Sequence, residues 1–151
     1  MTTRRLLSRF TIVAVAATLF ATAVAPAGAD TDEIETGKPM AVLEARLADI
    51  RFELDGSQRE FHHVREFVET SGVDAKLTMG QVCFSNGDCN VQPVNYSIPA
   101  NGLLRLKDQY IMSLTEREFY VFTYTGRDAN GNDIQLSFTL VVDDDELVLQ
   151  E

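Results

Sequence analysis

Tryptophan is absent, and cysteine and histidine occur only twice each. A metal site built on the cysteine pair would need two further ligands close by, and the sequence around it supplies none. Basic residues are scarce, with 13 Lys and Arg against 23 Asp and Glu and a net charge of −10. Such a chain repels nucleic acid and anionic lipid, so neither is a partner class. There is no Gly-x-Ser-x-Gly, no His-Glu-x-x-His and no glycine-rich phosphate loop, which removes the common signatures of hydrolases, zinc proteases and nucleotide-binding enzymes. No cofactor is implied, and the chain reads as non-catalytic.

Long apolar runs are also missing, with one exception. Residues 10–26 are Ile, Val, Leu, Phe and Ala broken by Thr, after a start carrying Arg4, Arg5 and Arg9. The run is short for a membrane span, which takes about 20 residues. It ends in Ala27-Gly28-Ala29, a small-x-small site. This is the pattern of a secretory signal peptide, residues 1–29, cleaved after Ala29. Arg4-Arg5 before Leu6-Leu7 also has a loose twin-arginine look, so the route of export stays open. The expected product is secreted or periplasmic and 151 − 29 = 122 residues long, with 10 basic against 23 acidic residues, or −13. That length suits one domain, since roughly 100–200 residues build one core. Residues 30–39 are acidic, polar and without periodicity, and read as a flexible lead; 40–151 form the domain.

Both cysteines lie in Cys83-Phe84-Ser85-Asn86-Gly87-Asp88-Cys89. In an oxidising compartment a close pair reads as one disulfide. Asn86-Gly87 tolerates positive φ at both positions, as a type I′ hairpin turn requires, and a hairpin there brings Cys83 and Cys89 within reach. Redox pairs are usually spaced by two residues at a helix start, where the thiolate is stabilised; five residues on a hairpin argue a staple.

From residue 73 onward the pattern is β. Val73, Ala75, Leu77 and Met79 alternate with polar residues, with a bulge expected at Gly80. Residues 91–98 continue past the cysteine turn, with Pro93 marking an edge. Leu104 and Leu106 alternate with Arg105 and Lys107. Tyr120, Phe122 and Tyr124 share a face. Ile134 to Val142 is the longest alternation, and 147–149 closes the chain. Turns fall at 99–102, 128–132 and 143–145. Residues 59–70 carry aromatic and β-branched residues and read as strand. Met40–Leu54 fits two periods: Leu43, Leu47, Ile50 and Leu54 have helical spacing, whereas 48–55 alternate. A short helix or turn to about residue 46, then a strand to Asp55-Gly56, is expected. Many short strands with frequent turns predict an all-β sandwich; a small lipocalin-like barrel holding an apolar ligand is the alternative.

Three passages carry a resemblance. Phe67 to Thr78, with Glu69-Thr70-Ser71-Gly72-Val73 at its centre, Ile98-Pro99-Ala100-Asn101-Gly102, and Tyr124 to Asn132 resemble the turn motifs of immunoglobulin-like domains in bacterial secreted proteins. The match spans about residues 59–142. It implies a β-sandwich that binds, spaces or displays. Antibody domains differ, since their disulfide joins two sheets and packs on a buried Trp.

Four groups of residues remain as candidates for binding. Phe84, Asn86, Gly87 and Asp88 sit at the cysteine hairpin, where a rigid aromatic anchor could be presented to a partner, or a bait loop to a protease. Tyr110, Phe119 and Tyr120 are further aromatics that are either exposed or core. His62 and His63, with Asp128 and Asp143 at acidic turns, are the alternative metal candidates. Asp128 to Asp133 resembles the start of a calcium loop, but Asp133 stands where that loop needs Gly. The function expected is an exported binding or structural module acting on a protein, glycan or apolar ligand.

Overall fold

The computed structural model describes residues 37–150. The expected signal peptide, its expected cleavage site and most of the expected acidic lead lie outside the described residues. Eight strands follow in order: β1 (Leu43–Asp55), β2 (Gln58–Glu69), β3 (Ala75–Phe84), β4 (Cys89–Ile98), β5 (Leu103–Ser113), β6 (Arg117–Asp128), β7 (Asp133–Asp143) and β8 (Glu146–Gln150). They form two antiparallel sheets, β1-β2-β5 and β4-β3-β6-β7-β8. The protein is an all-β sandwich. A lipocalin-like barrel is ruled out by the open edges of both sheets. The space that a barrel would leave for a ligand is filled by Phe67, Phe122, Tyr124 and Phe138, whose rings lie 5.0–6.2 Å apart.

The short helix expected to about residue 46 is absent: the strand begins at Leu43. A bulge explains the misleading spacing. The β1–β2 register shifts between Ala48 and Arg51, and Asp49 adopts φ 53°. Before it Leu43, Ala45 and Leu47 pack on the core; after it Phe52 and Leu54 lie on the side of their partners Phe61 and Arg59 but stay largely exposed. Odd positions give way to even ones. A second bulge breaks β5 between its pairs with His63 and Arg65, with Asp108 at φ 56°. The bulge expected at Gly80 lies instead between Leu77 and Met79. There Gly126 passes so close to β3 that a Cβ would stand 1.9 Å from the Lys76 carbonyl oxygen. Pro93 does lie on an edge strand, β4.

Two buried carboxylates tie one end of the sandwich together. Glu69 accepts from the backbone N–H groups of Val42, Ser71, Gly72, Val73 and Asn101 at 2.8–3.2 Å and from the Ser71 hydroxyl. Burial alone would raise its pKa; these donors outweigh that and hold it at about 2. Asp128 accepts from Ala41, Asn130 and Asn132 N–H groups, and its pKa is lowered by the same balance. The three turn passages singled out in the sequence therefore meet at one end of the molecule, around Glu69 and Asp128. The segment entering β1 is held there too, since the Pro39 carbonyl accepts from Asn130 Nδ2 at 2.7 Å.

Candidate functional site

Cys83 and Cys89 are bonded and directly paired across β3 and β4, with Cα atoms 4.0 Å apart. The turn between them is not type I′. Only Gly87 has positive φ, at 91°. Gly87 N–H donates to the Phe84 carbonyl at 2.9 Å and Phe84 N–H to the Asp88 carbonyl at 2.8 Å, so a three-residue turn ends in a left-handed glycine. Phe84 remains 37 % exposed. It pairs with Tyr120 on the core-facing side and meets that ring edge-on at 5.8 Å. Asn86 and Asp88 bond each other at the exposed tip.

The four metal candidates are not brought together. His62 faces solvent beside Glu60 at 3.5 Å. His63 points into the core and is 3 % exposed. Asp128 lies at the Glu69 end, its oxygens already occupied. Asp143 ends β7 at the other end. Among the described residues no group of three His, Cys, Asp or Glu is placed to hold a metal.

The core contains a feature that the sequence pattern hid. Arg65 is buried between the sheets, and among the described residues it has no carboxylate partner. Its Nη1 donates to Tyr124 Oη at 2.8 Å, Nη2 lies 3.4 Å from His63 Nε2, and Nε has no partner. A polar residue at an inward strand position breaks the apolar alternation of β2.

The outer face of the five-stranded sheet is the surface that stands out. Cross-strand pairing arranges its side chains in rows. One row joins Val148, Val141 and Phe119. The next joins Thr139, Val121 and the Cys83–Cys89 disulfide. Then come Ser137, Thr123, Gln81 and Val91, and after them Gln135, Thr125, Met79 and Pro93. None is charged, in a chain of which 24 % is Asp, Glu, Lys or Arg. Phe119, Val148, Val91 and Met79 are 40–55 % exposed there. Charges return only at the ends: Arg117, Asp143 and Glu146 in one bounding row, Lys76, Arg127 and Asp133 in the other. A shallow cleft of about 470 Å³ over Phe119, Val141, Thr139 and Gln150 opens at one end, and one of about 560 Å³ over Lys76, Thr125, Arg127 and Gln135 at the other. The opposite face, on β1, β2 and β5, is instead laced with ion pairs such as Arg105–Glu66 at 3.0 Å and Arg46–Glu44 at 2.9 Å. Of the aromatics named from sequence, Phe119 lies on the uncharged face, Tyr120 is core and Tyr110 is exposed on the ion-paired face.

No family model matches the chain, and no curated protein does. The solved structures similar to it include the Northeast Structural Genomics Consortium target SoR45, with a TM-score of 0.50 and 14 % identity over 67 % of this chain and 85 % of that one. A Bordetella pertussis protein provisionally named ApaA also has a TM-score of 0.50, with 10 % identity over 74 % of this chain and 94 % of that one. Identity this low carries the fold and nothing more. Among the described residues no helix is long and apolar enough to cross a membrane.

Proposed function

We propose that this protein is an exported, non-catalytic binding or structural module of the immunoglobulin-like type, and that it engages its partner through the outer face of the β4-β3-β6-β7-β8 sheet. The observation that carries the reading is the uncharged face itself. A protein this acidic keeps charge dispersed for solubility, whereas the core of an interface is depleted of charge and holds aromatic, Met and aliphatic side chains. The disulfide stiffens one edge of that face, and a persistent disulfide suits the oxidising compartment to which the N-terminal pattern directs the chain. The buried carboxylates Glu69 and Asp128 are consumed by backbone donors, which suits support of turns.

Photo-crosslinking in the producing cell tests this. A photoreactive residue at Thr123 should give discrete adducts; one at Glu53, on the opposite face, should not. Adducts from both positions alike, or from neither, would sink the reading.

A further inference from the structure

Resting on that reading, we infer that the partner is a second copy of this chain, packed face to face about a two-fold axis running along β6. The sheet order β4-β3-β6-β7-β8 puts β6 in the middle. Rotation about an axis parallel to β6 lays β7 over β3 of the second copy and β6 over itself. Phe119 and Val121, both on β6, then meet their own counterparts on the axis. The Val141 and Thr139 side chains of β7 come over the disulfide end of β3.

Charge decides the orientation. In the row of Lys76, Arg127 and Asp133, Lys76 stands on β3 and Asp133 on β7. The axis along β6 therefore brings Lys76 toward Asp133 of the second copy, twice by symmetry. Arg127, on the axis, is already held by its own Asp133 at 2.8 Å. Arg117, on the axis at the other end, shares its row with Asp143 and Glu146, which offset it. A two-fold axis across the strands would instead set Asp143 against Asp133 and Arg117 against Arg127.

The face is large enough. With strands about 4.8 Å apart and rows about 6.7 Å apart, and with β8 and β4 each missing from part of the face, the four rows cover a plan area of roughly 500 Å². Side chains standing up from it raise the accessible area toward the roughly 800 Å² per partner of a standard interface. Two sheets packed in this way sit about 10 Å apart, a gap that a lysine and an aspartate side chain span between them.

Sedimentation velocity on the full chain, over roughly 1–200 μM, is the test. The expected result is a reversible dimer. Val121→Arg sets two guanidinium groups against each other on the axis and should raise the dimer Kd more than about a hundredfold. Lys76→Asp, at an exposed position, should raise it about tenfold, and Lys76→Asp with Asp133→Lys should restore it. A monomer throughout the range, or a dimer indifferent to Val121→Arg, overturns the inference. A dimer that Val121→Arg breaks and the charge exchange leaves unchanged overturns the axis. In the Thr123 crosslinking experiment a dimer gives an adduct of twice the chain mass. Adducts of other masses alone reject self-association and leave the binding face standing, and no adduct rejects both.

Discussion

The Arg65 guanidinium carbon lies 4.1 Å from the centroid of the Phe122 ring, in the middle of the sandwich. This cation–π contact and the bond to Tyr124 are its compensation for leaving water, together with a longer approach to Phe138 at 5.6 Å. Burial lowers the Arg65 pKa, and Tyr124 opposes that. A buried charge with no counter-charge is a net cost, and apolar replacement of such groups is often neutral or stabilising. Arg65→Met combined with Tyr124→Phe, which leaves no orphaned hydroxyl, should keep or raise the melting temperature. Arg65→Ala should lower it by roughly 10 °C through the cavity it leaves. Thermal melts of the two variants decide; if the double variant falls as far as the alanine, Arg65 supports the fold instead.

His63, next to it, makes the core acid-sensitive. Its pKa is pushed down to about 4, by burial first and then by the Arg65 guanidinium. Unfolded, it titrates near 6.5. Between these values the unfolded chain carries a proton that the folded one does not. Its contribution to stability is full above about pH 6.5, declines as the pH falls toward 4 and is gone below. Melting temperatures measured from pH 7.5 to 4.5 should fall by several degrees in the wild type and stay flat in His63→Leu. Parallel curves for the two proteins would refute the assignment.

These two residues also show why half of the fold is hard to see in sequence. Ile134 to Val142 alternates cleanly because β7 has one buried face, one exposed face and no bulge. In β2 the inward positions are Phe61, His63, Arg65, Phe67 and Glu69, so polarity no longer marks the side facing solvent. In β1 and β5 the bulges at Asp49 and Asp108 shift the inward parity midway. Leu43, Leu47, Ile50 and Leu54 then imitate a helix, and the alternation of Leu104 and Leu106 stops five residues before Ile111. The uncharged face was written in plain alternation, as Val121, Thr123 and Thr125 or Gln135, Ser137 and Thr139, but only strand order shows that these rows join.

Glu69 is the acid of the turn passage Glu69-Thr70-Ser71-Gly72-Val73, and its carboxylate holds the turns on either side. Glu69→Gln replaces one acceptor oxygen with a donor facing N–H groups. It should cost about 2–3 kcal/mol, or roughly 10 °C in melting temperature at pH 7. With a folded pKa of about 2 against an ordinary 4.5, the stability that the wild-type carboxylate contributes is full above about pH 4.5 and drains away toward pH 2. The deficit of Glu69→Gln should therefore shrink as the pH falls through that window. A deficit that stays constant down to pH 2.5 would show that the loss at pH 7 was steric.

The Cys83–Cys89 disulfide separates stability from recognition. It closes a loop with a sequence separation of 6 and sits on the uncharged face, at the end of the row holding Val121. A loop of that size is worth about 2.4 kcal/mol in the chain-entropy model. Replacing both residues by valine removes the bond but keeps an apolar, β-branched cross-strand pair, so the face stays uncharged and the hairpin keeps the Phe84–Asp88 and Phe84–Gly87 backbone bonds. The expected result is a melting temperature lower by roughly 5–10 °C, with the dimer Kd changed by less than about threefold, a difference under 1 kcal/mol. Replacing both by aspartate should cost the same bond and also put like charges onto the face of each copy, so the dimer should be lost. If the valine pair abolishes association as fully as the aspartate pair while remaining folded, the disulfide itself, and not the absence of charge around it, is what the second copy recognises.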